Sequence, residues 1–343
     1  MISAVDKVRI GILGCSEFAG RRFLPALFKT ETAVLAAVAN KDLNTIQRFF
    51  PNTDCDAVSY EDLMTRKDVD LVYVSLPNYL HERWVLRALE SGKHVICEKP
   101  LGLSYGSVCR LVDGAEQRHL LLYGGMMHLH HPQHAMVKSI VASGRIGNVR
   151  LLRAGFGYSP RRLEKIRLRP EGGKGVFFEV VRYPLSMATL FLEGDVVSST
   201  GYALSKAGMP EGIHGYALFG KNEALDFSIS FTQQYESFYE VVGEKGKVRV
   251  ERAFAPEPDQ ESLIRIMLNA GNSTVMVPAA DQFALMLDSV CEAIVSGRDH
   301  GSHYEQARRL ALAADLLKAG CHEVSEDIAP EQGRASAKIR AAR

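Results

Sequence analysis

One hexapeptide, Gly14-Cys15-Ser16-Glu17-Phe18-Ala19, directly follows a short apolar run at 8–13. A G-x-G-x-x-G/A turn between strand and helix is the fingerprint of a dinucleotide site, where glycines let the backbone turn tightly and approach a pyrophosphate. Gly14 and Ala19 fit the outer positions. Ser16 replaces the central glycine; it is small, and its hydroxyl can donate to a phosphate oxygen. The bland alternative is an ordinary strand–helix turn. At the end of the second predicted strand, an Asp or Glu would bond the ribose 2′-hydroxyl of NAD(H). Asn40-Lys41 stands there, followed by Asp42. Lys41 can pair with a 2′-phosphate, which favours NADP(H) over NAD(H); alternatively, Lys41 is solvated and Asp42 does the ribose work.

Two further clusters invite chemistry. Arg161, Arg162, Lys165, Arg167, Arg169 and Lys174 make a basic loop, diluted by Glu164 and Glu171. Arginine forks phosphate oxygens bidentately, so Arg162, Arg167 and Arg169 are candidate substrate-binding residues; a solvated loop is the plain alternative. His128, His130, His131 and His134 are dense, but no Cys or carboxylate completes a ligand set, so no metal is expected. No Ser-His-Asp elbow and no phosphate-binding Walker loop is found.

These residues need a scaffold. Apolar runs at 8–13, 34–39, 71–76, 95–97 and 120–123 read as buried strands. Between them, 17–29, 43–50, 60–66, 81–91 and 104–118 read as helices. Pro51 stops the second, Gly92 closes the fourth and Ser104 caps the fifth. Repeated βα units predict an α/β fold with a parallel, doubly wound sheet over residues 1–125. Residues 126–321 differ. A helix at 132–143 precedes strand-like runs at 149–158, 196–204, 215–219, 224–232, 239–242, 247–251, 263–268 and 273–277. Their short connections predict a mostly antiparallel sheet, closed by helices at 281–296 and 305–319. The polar stretch 322–343 is expected to be a mobile tail.

Composition sets the outer limits. The chain has 343 residues, 46% hydrophobic and 24% charged, which supports a sizeable core and two domains. Its 41 basic and 40 acidic residues give a net charge of +1, so nothing points to nucleic acid as a partner. The apolar runs are far shorter than the roughly 18 residues a membrane span needs. Residues 1–10 lack the apolar segment of a signal peptide. Six scattered cysteines without CxxC spacing read as reduced thiols, and a cytoplasmic location is expected.

Glu98-Lys99-Pro100, after a strand and before a helix, resembles the E-K-P motif of the Gfo/Idh/MocA oxidoreductases. Leu76-Pro77-Asn78-Tyr79-Leu80-His81, Ala88-Leu89-Glu90-Ser91-Gly92-Lys93-His94-Val95, His131-Pro132-Gln133 and Ser143-Gly144-Arg145-Ile146-Gly147 are similar to the same family. Within it, residues 19–27, 166–170 and Tyr183-Pro184-Leu185-Ser186 look like the nucleotide-sugar 3-ketoreductases of deoxysugar biosynthesis. The resemblance implies a Rossmann domain (1–125) and an open-sheet domain (126–321) for substrate binding and for assembly as a homodimer or homotetramer. It implies NADPH-dependent reduction of a keto group on a nucleotide-diphosphate sugar. Cofactor contacts would come from Gly14, Cys15, Ser16, Glu17, Phe18, Asn40, Lys41, Leu76, Pro77, Asn78, His81, Glu98 and Lys99. Lys99 would polarise the carbonyl, and Tyr183, also a substrate contact, would donate the proton. Glu179 stands where most members have Asp. It lies four residues before Tyr183, on the same face if the segment is helical. The longer acid either reaches the substrate or pairs with Arg182 or another base. Two competing functions remain: a dehydrogenase of free sugars or polyols, and a cofactor-binding sensor without turnover.

Overall fold

The computed structural model describes residues 7–50, 53, 55–159, 175–206, 209–220, 222–298 and 300–325. Six parallel strands form the first sheet: β1 (Val8–Leu13), β2 (Ala33–Ala39), β3 (Asp56–Val58), β4 (Leu71–Val74), β5 (His94–Cys97) and β6 (Leu122–Gly124). Their order is β3-β2-β1-β4-β5-β6. Every residue of β4 is buried, as a strand covered on both faces requires. The order reverses between β1 and β4, which opens a crevice beyond Leu13 and Val74.

Helices cover the faces of this sheet. The helix expected at 17–29 is present, with a wider π turn at Ala19–Phe23 leading into α1 (Leu24–Lys29). Then come α2 (Leu43–Phe49), α3 (Tyr60–Thr65), α4 (His81–Glu90) and α5 (Tyr105–Glu116). Asp42, Ser59 and Ser104 cap α2, α3 and α5 by accepting backbone N–H bonds. Strand β3 was not anticipated. It has three residues on the sheet edge, none of them buried, so it carries no apolar pattern.

The second sheet has nine strands. After α6 (Pro132–Ala142) come β7 (Val149–Gly157), α7 (Gly175–Val180) and α8 (Arg182–Phe191). The strands β8 (Val196–Lys206), β9 (Met209–Phe219), β10 (Glu223–Ser230), β11 (Glu236–Gly243), β12 (Gly246–Glu251), β13 (Ser262–Leu268) and β14 (Gly271–Val277) follow. Two long helices, α9 (Gln282–Ser296) and α10 (Gly301–Ala319), precede β15 (Cys321–Ser325). The order is β14-β13-β12-β11-β7-β10-β9-β8-β15. Pairing is antiparallel except between β7 and β10 and between β8 and β15. Residues 322–325, expected in a mobile tail, instead belong to this edge strand, where they pair with residues 202–205 of β8. Their polar sequence gave no strand signal because an exposed edge needs none.

One face of the sheet packs on α7 and α8 through Val176, Phe177, Val180, Val181, Leu185 and Ala188. The closing helices join the two halves. Phe283, Met286, Leu287 and Val290 of α9 enter the core around Ile10, Phe23 and Tyr73. Helix α10 straddles both cores: Tyr304 and Ala311 pack with the first, Ala313, Ala314 and Leu317 with the second. Each buried large apolar side chain contributes roughly 1.5–3 kcal/mol. Among the described residues, no helix is long and apolar enough to cross a membrane.

Candidate active site

A cleft of about 800 Å³ opens over the β1–β4 crevice and runs to the second sheet. Gly14 turns at its base with φ +95°, a value few other residues tolerate. A Cβ at Gly14 would lie 2.6 Å from both the Leu76 side chain and the Ser75 carbonyl oxygen. This cradle suits a pyrophosphate lying against bare backbone. Ser16 Oγ accepts from the Ala19 N–H at 3.0 Å and shares a hydrogen with Ser75 Oγ at 2.7 Å. When Ser75 donates in that pair, the Ser16 hydrogen is left for a phosphate oxygen. Cys15, Glu17, Phe18, Leu76, Pro77 and Asn78 also line the cleft. Burial pushes the Cys15 thiol up to about 12, so it stays protonated and is no nucleophile.

At the end of β2, Asn40 faces the cleft and accepts from the Lys41 N–H and from the Tyr60 hydroxyl. The Asp42 carboxylate is committed to the start of α2, accepting from Asn44 N–H at 3.0 Å and Thr45 Oγ1 at 2.9 Å. That weighs against Asp42 as the ribose partner. Lys41 is exposed and does not line the cleft. Thr45, Phe49 and Tyr60 do line it, though no motif had singled them out.

The loop after β5 carries Glu98 and Lys99. Glu98 is buried and accepts from the Tyr73 hydroxyl at 2.5 Å and from the Lys99 N–H at 3.3 Å. Burial raises its pKa against the pull of these bonds. Lys99 Nζ donates to the Glu179 carboxylate at 3.2 Å and to the Glu179 carbonyl at 3.0 Å. Asn78 Nδ2 reaches the other carboxylate oxygen at 3.4 Å. The extra methylene of Glu179 therefore serves a pair with Lys99. Arg182 is not its partner; it is buried and donates to the carbonyls of Gly102 and Leu310.

Helices α7 and α8 run on through Val181, which is itself helical, so Glu179 and Tyr183 do lie on one face. Lys99 Nζ sits 5.8 Å from the centre of the Tyr183 ring. Burial raises the Tyr183 pKa, while the Lys99 charge lowers it; the net shift is upward, and the phenol is protonated at neutral pH. Among the described residues, no protein group bonds its hydroxyl. Below the ring, Ser186 Oγ donates to the Tyr183 carbonyl at 2.7 Å, so His128 Nε2 must donate to Ser186 at 2.8 Å. That fixes the tautomer of His128.

His81 is an exception among the expected cofactor contacts. It does not line the cleft but is fully buried, with its ring nitrogens 2.8 Å from the carbonyls of Leu76 and Pro100. It ties together the two loops that carry Asn78 and Lys99, which is a positioning part. The four clustered histidines are spent on structure: His128 on Ser186, His130 on Tyr123, His134 on Tyr239, and His131 on the start of α6. Arg162, Arg167 and Arg169, with the rest of the basic loop, lie outside the described residues.

Sequence reasoning missed the opposite wall. Phe156, Tyr158, Tyr235 and Phe254 face the cleft beside Tyr183, with the Phe156 and Phe254 rings 4.7 and 5.3 Å from its ring. Near the mouth, Arg22 pairs with Glu257 at 2.6 Å. No spacing along the chain connects the four rings; only the strand pairing of the second sheet brings them together.

A family model described as an oxidoreductase family with an NAD-binding Rossmann fold matches residues 8–126. A second, the GFO/IDH/MocA C-terminal domain, matches residues 134–249. The chain is 35% identical to dTDP-3,4-didehydro-2,6-dideoxy-alpha-D-glucose 3-reductase of Saccharopolyspora spinosa, covering 84% of this chain and 88% of that one. It is 32% identical to the Actinomadura kijaniata protein of the same name, covering 93% and 97%. A solved 3-ketoreductase from Actinomadura kijaniata, in complex with NADP and TDP-benzene, superposes with a TM-score of 0.88 at 30% identity, over 93% of this chain and 99% of that one.

Proposed function

The chain belongs to the GFO/IDH/MocA oxidoreductase family, and on that premise we propose that it reduces a keto group on a nucleotide-diphosphate sugar with NADPH. The observation that carries this reading is the Tyr183 hydroxyl. It faces a large cleft, protonated and unclaimed by any of the described residues, with the Lys99 ammonium beside its ring. The matched ketoreductases, named for dTDP-sugar substrates and solved with NADP, supply the substrate class and the cofactor. Residues 1–125 serve the cofactor and residues 126–321 the substrate.

The cofactor would be held by the turn at Gly14–Phe18, by Asn40 at the ribose, by Lys41 reaching in from its exposed position to a 2′-phosphate, and by Leu76, Pro77 and Asn78. When bound, the nicotinamide supplies the hydride that reaches the carbonyl carbon. The chain's own residues handle the oxygen. Tyr183 passes its proton to the developing alkoxide, giving the alcohol. Lys99 stabilises both the alkoxide and the phenolate left behind, which regains a proton from water. Glu179 and Asn78 hold the ammonium in place, and Glu98, anchored by Tyr73, fixes the loop that carries it. The aromatic wall excludes water from the sugar face. Arg162, Arg167 and Arg169 would meet the diphosphate.

We also propose a homodimer or homotetramer formed through the open face of the second sheet. Tyr202 and Leu204 of β8 and Tyr216 and Leu218 of β9 are exposed there on one face. Six free cysteines suit a reducing, cytoplasmic compartment.

The test is NADPH oxidation by purified protein offered a thymidine-diphosphate keto-sugar or unactivated keto-sugars. Turnover of the nucleotide sugar alone supports the reading. Turnover of free sugars alone replaces it with a sugar dehydrogenase. Bound NADPH without any turnover of either favours a sensor.

A further inference from the structure

Lys99 also borders a second, much smaller cavity, of about 60 Å³. Arg182, Gly102, Leu310, Gln306 and His303 line it together with apolar side chains. The mechanism above makes no use of Arg182. The residue is nevertheless only 4% exposed, as buried as a core leucine. A guanidinium presents five N–H donors and keeps its charge at neutral pH. Here two long bonds use part of that capacity, to Leu310 O at 3.4 Å and Gly102 O at 3.3 Å. Its Nε has no hydrogen-bond partner among the described residues. No carboxylate lies within ion-pair distance of it among the described residues. Asp315, on α10, acts on it only through its field.

Burying a cation without a counter-charge is strongly unfavourable, so such groups are normally paired or ligated. Both carbonyls that Arg182 bonds belong to residues that also line the cavity, so the cavity adjoins the guanidinium. Room for one water takes about 10–15 Å³. A 60 Å³ space therefore takes a halide and a water or two, and excludes anything as large as a nucleotide. The positive charge here is that of Arg182 itself: Lys99, on one side, is paired with Glu179, and burial holds His303 below its ordinary value and hence neutral at pH 7.

We propose that this cavity is a binding site for a small monovalent anion, chloride in solution, with Arg182 as its counter-ion. Arg182 begins α8 and immediately precedes Tyr183. The bound anion therefore steadies the turn that presents Tyr183 to the cleft. The inference stands apart from the choice of substrate.

The experiment uses the full chain and bromide as the probe. Bromide is titrated against isethionate, a sulfonate too large for the cavity, at constant ionic strength, and Tm is followed. The wild type should show a saturable rise of about 2–4 °C, which Arg182→Met abolishes. Bromide-soaked crystals of the wild type should show an anomalous peak in contact with the Arg182 guanidinium. That second measurement decides the matter if Arg182→Met does not fold. A flat Tm in bromide, an equal rise in a folded Arg182→Met, or no peak beside Arg182 would each overturn the proposal.

Discussion

The wall of the cleft that carries Gly14–Phe18 and Ser75–Asn78 is made of loops that each leave the end of a parallel strand. The opposite wall takes Phe156 and Tyr158 from the end of β7, Tyr235 from the approach to β11 and Phe254 from beyond β12. The first wall offers turn backbone flanked by Ser16, Ser75 and a few larger side chains, and its shape depends on local conformation. The second offers rings, and its shape depends on strand register. A change in the first wall should therefore act through the cofactor, and a change at the junction of the walls, where Lys99 and Tyr183 meet, through the chemical step.

The largest expected effect lies at that junction. Tyr183→Phe keeps the ring packed against Phe156 and Phe254 and removes only the proton donor. It should lower kcat by about 10²–10⁴-fold while leaving NADPH affinity unchanged in a fluorescence titration. A large loss of cofactor affinity would show that the two walls are not separable in this way.

The layer beneath Tyr183 predicts an acid-sensitive fold. Burial holds His134 down to about 3, His130 and His131 to about 4, and His128 well below its ordinary value. The unfolded chain, titrating near 6.5, takes up protons first. Stability is thus complete above about pH 6.5 and falls as pH drops toward 4. The slope is about 1.4 kcal/mol per pH unit for each histidine that only the unfolded chain protonates. Denaturant melts across pH 7 to 4 would check this, and a curve flat over that range would contradict the buried, neutral assignment.

A smaller change is expected in the first wall. Gly14→Val places a Cβ against Leu76 and the Ser75 carbonyl at positive φ, a strain of about 1–3 kcal/mol. NADPH affinity should fall by roughly 10–100-fold, with the midpoint of thermal unfolding lowered alongside. Smallest of all is Arg22→Met at the mouth. The Arg22–Glu257 pair joins the two halves but is largely solvent-facing, with Glu257 52% exposed. Its loss should cost under about 1 kcal/mol and shift cofactor affinity by less than about fivefold. A larger effect would mark this pair as a true latch across the cleft.

Features written in contiguous sequence were legible in it. The turn after β1, the βα alternation, the Glu98-Lys99-Pro100 loop and the i, i+4 placement of Glu179 and Tyr183 all follow from local pattern, since periodicity and glycine conformation act over a few residues. The mostly antiparallel character of the second sheet was legible for the same reason. Strand order, the parallel β7–β10 and β8–β15 pairs and the edge strands β3 and β15 were not, because pairing partners far apart in sequence leave no local mark. Nor could the sequence choose among partners for Glu179, give His81 its place behind the cleft, or gather four aromatic residues into a wall. Those outcomes depend on which side chains close packing brings within a few ångströms. Arg182 shows the division most clearly. The sequence marks it as unusual beside Tyr183, and only the packing of α8 against α10 and the Gly102 loop turns it into a buried cation facing a small cavity.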